Sequence, residues 1–253
     1  MLDLAGKVVF ITGASTGIGA AAARAFGARG AQVAVHYNRS ATEAEAVAAD
    51  IRNSGSKAIT VGADVLDSDA IARSVQAVVE QFGRIDVLIN NAGSLVKREA
   101  LENTTDAMFD EIVHINARSV VAFSRNVIPL MRKQGGGNII NVTSVAARHG
   151  GGPGALIYAA SKGFVSTITR GMAKELLPDH IRVNAVSPGV IMTPFQERFT
   201  TPEQLENFRK TIPMGRIGEP DECAGAFLYL ASNHLSGYVT GQIIEVNGGQ
   251  YMP

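Results

Sequence analysis

The chain has 253 residues, 46% hydrophobic and 18% charged, which is enough apolar material for a substantial core and excludes a disordered chain. Lys plus Arg and Asp plus Glu both number 23, so a formal net charge of zero argues against general attraction to nucleic acid or an anionic membrane. Cys223 is the only cysteine, no basic-then-apolar leader opens the sequence, and no apolar run is long enough to span a bilayer; a cytoplasmic protein without disulfides is expected.

Short β-branched runs alternate with longer Ala-rich ones. Residues 7–12 (KVVFIT) read as a buried strand and 18–30 as a helix ended by glycine. A second strand covers 31–37, a helix 41–55, a third strand 57–64, and a helix 67–83 that starts on the cap-forming Asp67 and Ser68. A fourth strand over 84–93 runs into a loop, two helical stretches cover roughly 104–134, and 137–144 is a fifth strand. Residues 156–177 form a long helix, 181–189 a sixth strand and 241–249 a seventh. Between the last two lie a loop-rich insertion and a helix over 220–232. Continuously apolar strands separated by helices predict an α/β protein: a single doubly wound (Rossmann) domain over 1–253, with a seven-stranded parallel sheet and helices on both faces.

Ligands of such sheets bind beyond the carboxyl ends of the strands. The turn TGASTGIG (12–19) joins the first strand to the first helix. Gly13, Gly17 and Gly19 let backbone approach a phosphate, and the helix behind them offers free N–H groups and a partial positive charge. The spacing differs from the usual dinucleotide fingerprint, and no Gly-Lys-Ser/Thr follows to make a P-loop. Further on, YAASK places Tyr158 and Lys162 one helical turn apart on one face. Free tyrosine and lysine have pKa values of about 10 and about 10.4, too high for proton transfer at neutral pH. A neighbouring ammonium stabilises the phenolate and makes such a tyrosine a usable acid.

With TGASTGIG (12–19), NNAG (90–93) and YAASK (158–162) in this order, the chain resembles the short-chain dehydrogenase/reductase family over nearly its whole length. The resemblance makes Tyr158 the general acid/base, with Lys162 lowering its pKa and bonding the nicotinamide ribose. Ser144 matches the serine that holds the substrate oxygen, and Asn116 the asparagine that holds a relay water. It also implies cofactor contacts at Gly13, Ser15, Thr16, Gly17, Ile18 and Gly19 in the turn. Asp64 and Val65 would meet the adenine, and the Asn91, Ala92 and Gly93 backbone the adenine ribose. Pro188, Gly189, Ile191 and Thr193 would meet the nicotinamide. The Ser144-to-Tyr158 interval is one residue longer than the family's usual one, through a glycine-rich segment that can absorb it.

The resemblance implies a nicotinamide cofactor, and the end of the second strand bears on which one. Tyr37 stands where a relative preferring NAD would carry an acid, and Asn38 and Arg39 follow, so Arg39 can pair with a 2′-phosphate. NADP(H) is the preferred cofactor and NAD(H) the alternative. No metal is expected. The substrate is a small carbonyl or alcohol compound, either a 3-oxoacyl thioester or a sugar or polyol, under a lid over about 190–218. The family's habit predicts a homotetramer or homodimer. An epimerase or dehydratase that does not consume its cofactor, and a non-catalytic cofactor sensor, are the competing readings.

Overall fold

The first strand, β1 (Val8–Ile11), is buried along its whole length because four consecutive apolar side chains can face helices on both sides of a sheet. The buried carboxylate of Asp86 accepts from Val8 N at 2.9 Å and is held in turn by Arg84. The structure, a computed structural model, describes residues 3–253. After β1 come α1 (Gly17–Gly27), β2 (Gln32–Tyr37), α2 (Ala41–Asn53), β3 (Ala58–Gly62), α3 (Ser68–Phe82) and β4 (Val87–Asn90). Next are α4 (Asp106–Val113), α5 (Ser119–Lys133), β5 (Gly137–Val142), α6 (Ala146–His149), α7 (Leu156–Leu176) and β6 (Ile181–Pro188). The chain finishes with α8 (Pro194–Phe199), α9 (Pro202–Thr211), α10 (Pro220–Ala231), α11 (Asn233–Ser236) and β7 (Ile243–Val246).

The seven strands are parallel, in the order β3-β2-β1-β4-β5-β6-β7. The chain winds one way from β1 and the other way from β4, so the switch point lies between the carboxyl ends of those two strands. One face of the sheet buries Phe26, Ile51 and Phe227 from α1, α2 and α10. The other buries Ile71, Phe123 and Leu176 from α3, α5 and α7. The start and stop signals of α3 act as their chemistry dictates. The Asp67 carboxylate accepts from the amides of Asp69 and Ala70, and Gly83 closes the helix at φ +80°.

Two elements differ from the sequence expectation. The two helical stretches over 104–134 are joined by a π turn, His114–Arg118, so the chain stays helical from Asp106 to Lys133. The insertion after β6, expected as mostly loop, carries α8 and α9. Both start with proline in the first turn, and α9 has a reciprocal cap between Thr201 and Gln204. Among the described residues no helix is long and apolar enough to cross a membrane.

Candidate active site

The switch point is held together by three short motifs bonding to one another. The Thr12 hydroxyl oxygen accepts from the amides of Asn91 and Ala92, each at 2.9 Å. The Asn91 side chain donates to the carbonyls of Thr12 and Gly13, also at 2.9 Å. A Cβ on Gly19 would fall 2.4 Å from the Gly13 oxygen and 2.5 Å from Asn91 Nδ2, so only glycine permits this close approach. Gly13 and Gly17 take φ values of +62° and +55°. Thr16 precedes α1 without capping it through its side chain, which leaves the first amides of the helix available to an anion.

His36 belongs to this cradle and was not singled out from the sequence. Its Nδ1 accepts from Gly13 N at 3.1 Å, and burial pushes its pKa down to about 4, so the ring is neutral and its hydrogen sits on Nε2. Only the acceptor pairing could have revealed it, and that depends on the fold.

These residues open onto one cavity of about 610 Å³. Every cofactor residue expected from the sequence lines it: Gly13 and Ser15 to Gly19 of the glycine turn, Asn38 and Arg39, Asp64 and Val65, the Asn91–Gly93 stretch, and Pro188, Gly189, Ile191 and Thr193. The Tyr37 ring packs on Gly62 instead. Arg39 is exposed and has no acidic partner among the described residues. The Asp64 carboxylate accepts from Leu66 N at 2.9 Å, which fixes its place at the cavity wall. The open amides and side-chain-free glycines fit the phosphates of a dinucleotide.

At the other end of the cavity stand Ser144, Tyr158 and Lys162. Ser144 follows β5 and accepts from Ala146 N at 3.1 Å. Tyr158 lies in the first turn of α7, and Lys162 one turn on. Burial pushes Tyr158 up to about 12, opposed by the neighbouring Ser144 hydroxyl. Burial also pushes Lys162 down to about 8. Its ammonium donates to the Val142 carbonyl at 2.9 Å and lies 5.9 Å from the Tyr158 ring centroid. Burial and the Ser144 hydroxyl set the direction for Tyr158, which is protonated at neutral pH.

Asn116 is the one expected catalytic residue that does not line the cavity. It sits in the π turn, fully buried, and its amide is spent on protein. Oδ1 accepts from Ser94 N at 3.0 Å, and Nδ2 donates to Ser94 O at 2.7 Å and Ile112 O at 2.8 Å. The side chain anchors the loop after β4.

The segment over the cavity reaches the tyrosine directly. Phe195 on α8 lies 5.7 Å from Tyr158 between ring centroids, and Phe199 lies 5.0 Å from Phe195. Arg98, which the sequence did not single out, bridges the loop after β4 to this segment, donating to Phe199 O at 2.5 Å and Pro153 O at 2.9 Å.

A family model described as enoyl-(acyl carrier protein) reductase matches residues 13–250. The chain belongs to the short-chain dehydrogenase/reductase family. A relative named 3-oxoacyl-(acyl-carrier-protein) reductase, from Thermotoga maritima, is 41% identical over 98% of this chain and 99% of its own. An Arabidopsis thaliana relative named NADPH-dependent aldehyde reductase 1, chloroplastic, is 38% identical over 97% of this chain and 86% of its own. The crystal structure of an NADH-dependent reductase complexed with NAD superposes with a TM-score of 0.89 at 39% identity, covering 99% of each chain. This short-chain dehydrogenase/reductase is an NAD(P)-dependent oxidoreductase.

Proposed function

We propose that the protein is an NADP(H)-linked carbonyl reductase or alcohol dehydrogenase with Tyr158 as its proton donor and acceptor. The observation that carries this reading is the meeting of Ser144, Tyr158 and Lys162 at one end of a cavity whose other end is the glycine turn. The nicotinamide, when bound, supplies or accepts the hydride at the substrate's carbonyl carbon. The residues of the chain handle the oxygen. Ser144 donates a hydrogen bond to it, and Tyr158 gives it a proton in reduction or takes one in oxidation. Tyr158 is protonated at neutral pH, which is the form a reduction needs. Lys162 brings positive charge close to the developing oxyanion, and Asn116 fixes the loop beside it.

The preference for NADP(H) rests on Arg39, an exposed and unpaired cation at the β2 end of the cavity with no carboxylate beside it. The substrate class is a 3-oxoacyl thioester or a small sugar or polyol, enclosed by a lid over about 190–218 of a single domain. Exposed apolar side chains on the helices, among them Phe109 on α4 and Phe164 on α7, support a homotetramer or homodimer in the cytoplasm.

Fluorescence-detected binding of NADPH and NADH to the wild type and to Arg39→Ala tests the reading, followed by a carbonyl and alcohol panel with the preferred cofactor. NADPH is expected to bind more tightly and to lose about 1–3 kcal/mol in the variant, as for a charge-assisted phosphate contact. Equal or tighter NADH binding with an unchanged variant would favour NAD-linked oxidation of a sugar or polyol, a reading in keeping with the NAD complex of the structural neighbour.

A further inference from the structure

We infer that Arg98 is the anchor for an anionic group, a carboxylate or a phosphate, carried by the substrate. The inference rests on the cavity acting on a carbonyl or alcohol, and it narrows which ones.

Arg98 lines the same cavity as Ser144 and Tyr158. Its guanidinium holds only neutral acceptors: Phe199 O, Pro153 O and, at a long 3.4 Å, the Thr200 hydroxyl. Among the described residues it makes no ion pair. The adjacent carboxylate, Glu99, is taken by Lys97 at 2.6 Å. The two acids on the cavity wall, Asp64 and Glu111, do not bond Arg98 either. Its partial burial removes water from a charge that no protein group neutralises, and lowers its pKa.

The three bonds use three of five N–H donors and leave one on each terminal nitrogen. An arginine in this state binds a planar or tetrahedral anion better than a neutral oxygen. It also stands close to the chemistry. Phe199, whose carbonyl it holds, touches Phe195, and Phe195 touches Tyr158. Pro153 belongs to the glycine-rich loop that leads into α7. A second cation, Arg198, lines the cavity and lies over the Phe199 ring at 5.1 Å, so this end is positive on two sides. A bound anion supplies the missing counterion and bridges the lid to the loop after β4.

The test measures kcat/KM with NADPH for two matched pairs: 3-oxobutanoate against its methyl ester, and dihydroxyacetone phosphate against dihydroxyacetone. The wild type, Arg98→Gln and Arg98→Lys are compared. The wild type is expected to prefer the charged member of at least one pair by about tenfold or more. That preference should fall by about the same factor in Arg98→Gln and be partly kept in Arg98→Lys. The pair with the larger preference tells carboxylate from phosphate. No preference in the wild type, or an equal loss for charged and neutral members in Arg98→Gln, would overturn the proposal and leave Arg98 as a clasp of the lid. If none of the four compounds is turned over, the assignment of the reaction is at fault. Calorimetry of 3-hydroxybutanoate and its methyl ester on the NADPH-loaded protein then decides the anchor alone. Preferential binding of the acid that is lost in Arg98→Gln sustains it, and equal binding of acid and ester overturns it.

Discussion

Replacing Lys162 by methionine should stabilise the protein at neutral pH, and the gain should vanish as the pH rises. Lys162 is only 3% exposed, and burial takes its pKa from an ordinary 10.5 to about 8. At about 1.4 kcal/mol per pH unit, that gap corresponds to a desolvation cost of about 3 kcal/mol while the folded state carries the charge. Methionine removes this cost but also the bond from Lys162 to the Val142 carbonyl, worth about 1 kcal/mol. The net gain at pH 7 is about 2 kcal/mol. Between the folded value of about 8 and the unfolded 10.5, the unfolded chain binds more protons, so wild-type stability rises with pH in that window. By about pH 9.5 the wild type recovers about 2 kcal/mol from this group, and the two proteins should be equally stable. Cys223 and Tyr158, both pushed up to about 12, act in the opposite sense above about 9 and 10. Cys223 is remote from the substitution and cancels in the difference, and Tyr158 titrates above the pH range of the comparison. Urea unfolding of wild type and Lys162→Met at about pH 7, 8.5 and 9.5 measures that difference. A constant difference across the series, or a variant less stable at pH 7, would refute the reasoning.

Asn116→Ala strips partners from the Ser94 amide and carbonyl and from the Ile112 carbonyl, and should cost about 2–4 kcal/mol in urea unfolding, with Asn116→Asp losing at least as much because its second oxygen cannot donate to the two carbonyls and its charge is buried. Gly93→Ala places a methyl 2.8 Å from Asn116 Oδ1 and 3.2 Å from Lys162 Nζ, and should cut turnover by about tenfold or more while circular dichroism stays unchanged. Wild-type turnover in that variant would mean that these two groups need not hold their positions.

The sheet was legible because its strands are short, β-branched and apolar on both faces, and the helices between them carry their own caps at Asp67 and Gly83. Most of the cavity wall followed, since its residues sit at strand ends that the parallel order brings together. The sequence misled where long-range environment decides. The π turn at His114–Arg118 places the Asn116 amide against Ser94, a contact that no local periodicity encodes. The Tyr158 pKa is raised by burial, and burial is a property of the packed state. Arg98 and His36 gain their places from partners far along the chain, Phe199 and Gly13. The helix α9 was readable, through Thr201, Pro202 and Gln204 as cap, first-turn proline and capping-box partner, but its polar composition resembles a loop.

The most direct test of the account follows NADPH consumption over a carbonyl panel, with product analysis, in the wild type and in Tyr158→Phe. Repeated turnover is expected, with one alcohol formed per NADPH oxidised. In the variant turnover should fall by about 10²–10⁴-fold while NADPH binding is unchanged. Turnover that survives in Tyr158→Phe, or a wild type that binds NADPH yet never consumes it, would contradict it.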